Sequence, residues 1–246
     1  FMEPITWFLT GVEKHSDERR EDLLCNPETF EGAMSHHMSR FEYESLYVAM
    51  NELSNHDHSR FLTRTNGQVG RIQNKGTEAA EEGINEAVMR EAVIMQMTWP
   101  GAPTVYYGDE AGVCGWTDPD NRRTYPWGHE DKQMLLFHKE AIRIHRNSTA
   151  LCTGSYKMLY TAWGILAYGR FDEKERYTVI VNNTQDTVNV AIPVWQIGVT
   201  DGSRMEQQLM SSSASFTKVP DIYVVTDGYL MIAMPKTSAV ILKDIG

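Results

Sequence analysis

The segment Ser54-Asn-His-Asp-His-Ser-Arg60 brings a carboxylate, two imidazoles and a guanidinium together in one short stretch. It follows Leu46–Leu53, which we interpret as a turn of helix or the approach into a buried strand. The loops that follow the strands of a parallel α/β barrel build its active site. There a carboxylate such as Asp57 can stabilise a cationic centre, and an adjacent histidine such as His56 can donate to a hydroxyl. Taken alone, the segment fits a solvated polar turn slightly better than a site.

A second polar stretch follows a predicted strand. Thr104-Val-Tyr-Tyr107 is rich in β-forming residues and ends at Gly108, which indicates a buried strand. The long loop after it, Asp109 to Glu130, mixes carboxylates, arginines and aromatic rings. Planar polar groups pair with sugar hydroxyls, and aromatic rings cover the apolar face of a sugar ring, so this mixture suits a carbohydrate. The alternative is a loop stapled by ion pairs of Asp118 or Asp120 with Arg122 or Arg123.

Together the two segments are specific. Asn-His-Asp57 with Arg60, followed by Gly101-Ala-Pro-Thr-Val-Tyr-Tyr-Gly-Asp-Glu-Ala-Gly and Asp118-Pro-Asp-Asn-Arg-Arg, resembles the α-amylase family of retaining glycoside hydrolases. The resemblance is to its neopullulanase, cyclomaltodextrinase and maltogenic amylase members, and it covers essentially the whole chain. It implies hydrolysis of α-1,4 and α-1,6 linkages in starch, maltodextrin, cyclodextrin or pullulan, with α-glucan oligosaccharides as the partners.

The resemblance also implies roles for individual residues. Asp57 matches the third catalytic carboxylate, which stabilises the transition state, and His56 matches a histidine that contacts the same sugar ring. Asp118 and Arg122 match a pair that binds sugar on the non-reducing side of the cleavage point. Arg60, Asp109 and Glu110 are given supporting roles only.

The tryptophans divide by position. Trp116 and Trp127 lie in the long loop and are the expected sugar contacts, Trp116 in the same Gly-rich stretch as Asp118. The remaining four are expected to fill the core or a domain interface: Trp7, Trp99, Trp163 and Trp195.

Two catalytic groups are not found. A retaining glycosidase needs two carboxyl groups about 5–5.5 Å apart. The family carries them on the fourth and fifth strands in Arg-x-Asp and Gly-Glu-x-Trp motifs, and we identify neither motif on a predicted barrel strand here. We therefore expect a C-terminal part of such an enzyme that is inactive alone. Because a half barrel leaves sheet edges open, we expect an upstream half-barrel or a second copy to cover it.

Periodicity predicts a parallel α/β unit followed by an antiparallel β-sandwich, and the resemblance implies that the first unit is the C-terminal half of a (β/α)8 TIM barrel. The expected fold class is therefore α/β plus all-β. Residues 1–150 are the partial barrel, with about strands 7–8 and helices 6–8, and residues 151–246 are the sandwich. Helices are predicted at Ile5–Thr10, from Asn26-Pro27, at Ile84–Thr98 and at Asp131–Arg146. The predicted sandwich strands are Tyr156–Thr161, Ile165–Phe171, Tyr177–Asn182, Val188–Val194, Tyr223–Val225, Leu230–Met234 and Ala239–Leu242.

Composition excludes several classes of partner. Lys and Arg total 23 against 33 Asp and Glu, a net charge of −10, which disfavours nucleic acid and anionic lipid. No apolar run approaches the roughly 20 residues of a membrane helix. The three cysteines stand far apart and are expected to be buried free thiols. No leader is visible, and for this subfamily we expect the cytoplasm, with an extracellular location as the alternative.

Two other functions stay open. One is a non-catalytic carbohydrate-binding or regulatory module, since fold alone does not determine function. The other is a metal-dependent hydrolase that uses His56 and His58 with Asp57, to which His36 and His37 could add ligands. Otherwise we expect no metal and no cofactor in these residues, because the family's calcium site, where present, is built from upstream segments.

Overall fold

The main helices begin at residues that cap them. In the computed structural model, which describes residues 1–246, Asn26, Asn85 and Asp131 each accept hydrogen bonds from backbone N–H groups in the helical turn that follows. Such caps satisfy donors that a helix start leaves free. The helices are α1 Met2–Thr10, α2 Pro27–Met38, α3 Tyr43–Leu46, α4 Phe61–Arg64, α5 Ile72–Lys75, α6 Glu86–Thr98, α7 Lys132–Arg146 and α8 Thr149–Thr153.

The barrel part contains two parallel strands. β1 (Met50–Glu52) pairs with β2 (Ala102–Thr104), and α6 lies between them in sequence, which gives the strand–helix–strand order of a parallel unit. Gln96 on α6 donates through Nε2 to Asn51 O at 3.0 Å and to Thr104 O at 2.9 Å. This buried amide ties the helix to both strands. The barrel part is therefore a two-stranded piece rather than a closed barrel.

The rest of the chain forms antiparallel sheets. A seven-stranded sheet runs in the order β3-β4-β5-β11-β7-β8, with β9 beside β7, and β6 pairs with β10 in a separate ribbon. The strands are β3 Ser155–Ala162, β4 Ile165–Phe171, β5 Arg176–Asn182, β6 Val188–Ile192, β7 Arg204–Ser211, β8 Phe216–Thr217, β9 Ile222–Val224, β10 Leu230–Met234 and β11 Ser238–Asp244.

The large sheet has an apolar surface on both faces. On one face Tyr168 and Val179 join a core that includes Ile94 of α6. On the other face Ile180 packs in a second core with Ile232 of the ribbon. The predicted antiparallel sandwich is thus present as a sheet covered by helices on one side and by a ribbon on the other. The hydrophobic core is continuous across residue 150.

Two sequence predictions fail here. No strand was predicted at β7, because its inward positions include Gln207 and Ser211, which the fold accommodates by hydrogen bonds to Val219 O and to Ala239. Trp163 and Trp195 were expected to be buried, yet they are 60% and 56% exposed.

The cysteines are all unpaired, as expected, with two of them buried. No helix has both the length and the apolar character that crossing a bilayer requires.

Glu91 on α6 is an unusual core residue. It is fully buried, and neither carboxyl oxygen has a hydrogen-bond partner. Burial raises the pKa of Glu91 well above its usual range, and Arg90 opposes this only in part. Since the folded pKa exceeds the unfolded value of about 4.3, the folded state binds the proton more tightly. The stability of the chain should therefore fall as pH rises above about 4.3 towards the raised pKa.

Replacing Glu91 with methionine should stabilise the protein. We expect Glu91→Met to raise the free energy of unfolding at pH 8 by about 1–3 kcal/mol, because it removes a buried acceptor without a partner. The gain should shrink at pH 4, where the carboxyl is protonated in the folded state and mostly protonated in the unfolded state. Urea unfolding at the two pH values measures both effects. Glu173→Met, at an exposed carboxylate in the turn after β4, is the control and should change stability by less than about 0.5 kcal/mol. Destabilisation by Glu91→Met at pH 8 would contradict the argument.

Candidate active site

The loop after β1 presents Asp57 at the carboxyl end of the strand. Asn55 Oδ1 accepts the backbone N–H groups of Asp57 at 3.0 Å and His58 at 3.2 Å, while its Nδ2 donates to Glu52 Oε1 at 2.7 Å. This turn leaves the side chains of His56 and Asp57 60% and 64% exposed, with His56 Nε2 3.4 Å from Asp57 Oδ1. The carboxylate is therefore fixed through its backbone and free to meet a ligand.

The loop after β2 is fastened to the Asp57 loop. Asn121 Nδ2 donates to Asn55 O at 3.2 Å and to His58 O at 2.6 Å. Beside it, Arg122 and Asp118 form an exposed ion pair. The hydrogen bond that Arg122 donates to Asp118 is the main cause that raises the pKa of Arg122, and the charge of Asp57 contributes in the same direction. The structure thus brings Asp57, Asp118 and Arg122 to one face.

Arg60 supports the loops after β1 and β2 from the protein interior. Its side chain is fully buried, and its Nε donates to Asn121 O at 2.8 Å. One Nη donates to Tyr107 O at 2.6 Å and to Asp109 Oδ1 at 2.9 Å. The guanidinium lies 4.0 Å from the ring centroid of Tyr106 and 4.9 Å from that of Tyr107, a cation–π geometry. Arg60 therefore connects the two loops.

Strand β2 lies earlier in the chain than predicted, at Ala102–Thr104, and overlaps the prediction only at Thr104. The predicted strand covered Thr104–Tyr107, but the sheet pairing ends at Thr104. Beyond that point the Tyr107 carbonyl bonds to Arg60 instead of to a strand. Tyr106 and Tyr107 were not predicted as site residues, although two adjacent aromatic residues at a strand end were a visible signal. Asn121 was likewise missed.

His58 is turned away from the exposed face. Its ring lies edge-on to His15, with centroids 4.7 Å apart. Burial, with smaller effects from His15 and Arg64, lowers the pKa of His58 to about 4, so the ring is neutral at pH 7. His56 and His58 belong to no group of three converging ligand atoms. The geometry gives no support to a metal site built on this pair.

A different trio, Glu13, His15 and Asp17, has ligand atoms within 4.8 Å of one another. Its side chains already have partners. Glu13 accepts from the His15 ring at 2.9 Å, and Asp17 forms a two-point ion pair with Arg71. These contacts account for the cluster as part of the loop structure.

Trp116 is not available to a sugar. Its side chain is fully buried, and its indole Nε1 donates to Gly76 O at 3.0 Å. Its backbone N–H donates to Asp120 Oδ2, so the loop folds inward at this point. The expectation that Trp116 contacts sugar is therefore wrong for this structure. Trp127, in contrast, is 79% exposed and packs 4.4 Å from the ring of Tyr125.

Ion pairs also stabilise the long loop, which was the alternative interpretation of its charged residues. Arg123 pairs with Asp120 at 2.9 Å and with Glu81 at 2.5 Å. Its Nη2 also donates to Thr77 O at 2.6 Å. The buried part of the loop is thus structural, whereas the Asp118–Arg122 pair stays exposed.

Two tripeptides match Arg-x-Asp by letter: Arg20-Glu-Asp22 and Arg170-Phe-Asp172. The first is an exposed ion pair in the loop after α1. In the second, Arg170 is buried on the antiparallel sheet and donates to the carbonyls of Thr98 and Gly154, while Asp172 accepts from the turn after β4. Neither lies at the end of β1 or β2, so neither supplies the missing carboxylate to this face.

Most of this chain is similar to known proteins. The family model described as "Alpha amylase, catalytic domain" matches residues 7–220. An amylopullulanase of Thermoanaerobacter thermohydrosulfuricus is 31% identical over 218 residues, which are 84% of this chain and 14% of that protein. A cyclomaltodextrinase of Thermoanaerobacter pseudethanolicus is 34% identical over 139 residues, 56% of this chain and 21% of that protein.

Solved structures show the same fold. The structure of an Anoxybacillus α-amylase superposes on this chain with a TM-score of 0.75 at 20% sequence identity. The superposed part is 99% of this chain and 45% of the α-amylase chain. The chain thus spans less than half of that structure and a smaller share of the relatives named above. Because the family model covers residues 7–220 and a relative with 31% identity covers 84% of the chain, this chain belongs to the α-amylase family.

Proposed function

We propose that residues 1–246 supply the seventh- and eighth-strand part of a retaining α-glucan hydrolase. The proposed substrates are α-1,4- and α-1,6-linked glucans such as maltodextrin, cyclodextrin and pullulan. One observation carries the proposal: exposed Asp57 lies at a strand end on the same face as the Asp118–Arg122 pair, and Asn121 and Arg60 hold both loops together. The names of the relatives, amylopullulanase and cyclomaltodextrinase, support the substrate class.

Asp57 would act on the charge that develops in the reacting ring. Glycoside hydrolysis passes through an oxocarbenium-like transition state, and hydrogen bonds to ring hydroxyls strengthen there. A fixed carboxylate favours that state more than the ground state, which is the requirement for rate acceleration. His56 would donate to a hydroxyl of the same ring, and Arg122, oriented by Asp118, would hold the neighbouring sugar.

The nucleophile and the acid would come from a segment outside these residues. Asp57 is the one carboxylate of the chain that matches a catalytic position of the family. The β1–β2 pair leaves a strand edge open, and three apolar side chains near it are exposed: Phe41 at 49%, Val48 at 72% and Met50 at 59%. An open edge with apolar flanks favours a covering partner, which we take to be a preceding half-barrel or a second copy.

The alternative is a binding module without catalysis, which the exposed sugar-type face also favours. Both proposals require that the chain binds a glucan. Only the enzyme proposal requires cleavage once the barrel is complete.

Titration of purified 1–246 with maltoheptaose tests the proposal. We expect binding without release of reducing sugar, and we expect Arg122→Ala to weaken the affinity at least tenfold, since a charged hydrogen-bond donor is lost. Arg143→Ala is the matched control, because Arg143 also forms an exposed ion pair within one helical turn, with Glu140 on α7. Equal losses in the two variants would argue against a sugar site at Arg122. Cleavage by the pure chain would contradict the assignment of the nucleophile to another segment.

A further inference from the structure

A second cleft lies apart from the face that carries Asp57. It has a volume of about 460 Å³, within the range of small-molecule sites. The loop after α1, the start of α6 and the turns around β4 and β5 form its walls. Asp57, His56, Asp118 and Arg122 are not among its lining residues. Its polar and aromatic lining includes Arg19, Asn66, Asn85, Trp163, Asn183 and Gln185.

Trp163 is held at this cleft by its backbone. The N–H of the next residue, Gly164, donates to Cys25 O at 2.7 Å, and Gly164 O accepts from the N–H of Asn183 at 2.8 Å. Gly164 has φ +71°, and a Cβ there would lie 2.5 Å from Thr184 Cγ2, so the turn requires glycine. The indole is 60% exposed, and its N–H has no partner in the protein. The turn therefore fixes an exposed aromatic ring that the fold does not use.

Asn183 provides a fixed acceptor in the same cleft. It is only 7% exposed, and its Nδ2 donates to Phe8 O at 3.2 Å and Leu9 O at 3.1 Å, which fixes the amide plane. Its Oδ1 accepts no hydrogen bond from the protein, although the residue lines the cleft. This oxygen is not among the buried side-chain atoms that lack a partner, so it is open to solvent and can accept a hydrogen bond from a ligand. A ligand hydroxyl would satisfy this oxygen.

Asn85 supplies the complementary group. Its Oδ1 accepts from the N–H groups of Ala87 and Val88 at the start of α6, which leaves its Nδ2 without a partner. A fixed acceptor and a fixed donor therefore belong to the same cleft. No carboxylate lines it, and Arg19 is engaged by Glu21 and Gly67 O. The lining suits a neutral ligand that has hydroxyl groups and one apolar face.

We propose that this cleft is a second glucan-binding site. A pyranose ring packs on the Trp163 indole, an arrangement that uses the apolar body of the side chain, and its hydroxyls bond to Asn183 Oδ1 and Asn85 Nδ2. The residues that line the cleft support a sugar as the ligand. Its assignment as an α-glucan rests on the function proposed above. A polymer held here and at the Asp57 face would be bound at two points, which raises the effective concentration of substrate.

The indole N–H signals of the tryptophans separate the two sites. In ¹⁵N–¹H spectra of the 1–246 chain titrated with maltoheptaose, the Trp163 indole and the Asn183 side-chain amide report on the cleft. The Trp127 indole and the Asp57 backbone amide report on the two loops of the candidate active site. We expect the Trp163 signal to shift and saturate. We expect Trp163→Ala to weaken binding at the cleft about tenfold or more while the Trp127 response persists. Trp163→Phe should keep part of the affinity. Trp195→Ala is the matched control, because Trp195 is equally exposed but lies outside the cleft.

Each outcome decides between the proposals. A Trp127 shift without a Trp163 shift overturns the second site and leaves the proposed function standing. A Trp163 shift without a shift of either Trp127 or the Asp57 amide supports the cleft and contradicts the proposed function. If Trp195→Ala weakens cleft binding as much as Trp163→Ala, the assignment to this cleft is wrong. An equal response to β-linked cellohexaose overturns the α-glucan assignment.

Discussion

Arg60→Ala is expected to lower the free energy of unfolding by about 3–5 kcal/mol, the usual cost of breaking a buried ion pair. Arg60 and Asp109 are 0% and 4% exposed, so the variant leaves a buried carboxyl without its cation. Burial already raises the pKa of Asp109, and Arg60 is the main group that opposes this. The variant also removes donors to the carbonyls of Tyr107 and Asn121.

Chemical unfolding with a matched set of variants measures the effect. Arg122→Ala is the control, because it breaks an exposed ion pair in the same loop and should cost less than about 1 kcal/mol. Arg60→Met combined with Asp109→Asn removes both charges and should recover part of the loss. If Arg60→Ala costs no more than Arg122→Ala, Arg60 does not hold the two loops together.

Asp57→Asn is expected to lower kcat by about 10²–10³ in an enzyme in which these residues complete a barrel that carries the nucleophile and the acid. The estimate follows the cost of removing one fixed group that stabilises transition-state charge. Asparagine keeps the size of the side chain and loses its charge, so KM should change little and kcat/KM should fall with kcat. Because Asp57 is 64% exposed, its replacement should leave stability within about 0.5 kcal/mol.

Steady-state kinetics on cyclodextrin and maltoheptaose provide the readout. Asp118→Asn is the informative comparison: it disturbs the orientation of Arg122 and should act mainly on KM. A variant with Asp57→Asn that keeps more than a tenth of the parent kcat would show that Asp57 only binds the substrate. Equal unfolding midpoints of the two variants and the parent exclude a folding defect as the cause.

Local rules predicted the elements that local chemistry determines. Asn26 was readable as a helix start because an N-cap acts within one turn, whereas the helix predicted from Ile84 begins at Glu86 with Asn85 as its cap. Strand β10 was predicted with its observed bounds, Leu230–Met234, because it is a short apolar run that follows the turn signal Asp227-Gly228. β7 was missed because a buried Gln207 breaks that pattern, and only the distant Val219 carbonyl makes its burial favourable.

The residues of the candidate site were named from the sequence, but how far each side chain is buried was not. Asp57, Asp118 and Arg122 could be named from the two motifs, and the structure places them on one face. Trp116 could not be told from Trp127 by sequence, since both lie in one loop and burial depends on the contact with Gly76, forty positions upstream. Arg60 was named as a supporting residue, but its contacts with Tyr106, Tyr107 and Asn121 depend on the folded loops.

The core that runs across residue 150 limits how this part of the protein can be exchanged. The sheet residues Tyr168 and Val179 share one apolar interior with Ile94 of α6. A recombination joint near residue 150 would combine the helices of one protein with the sheet of another. Their core side chains would not fit together, and a poorly packed core destabilises a protein. Descendants of this chain should therefore inherit the helices and the sheet as a single unit, even where neighbouring domains are gained or lost.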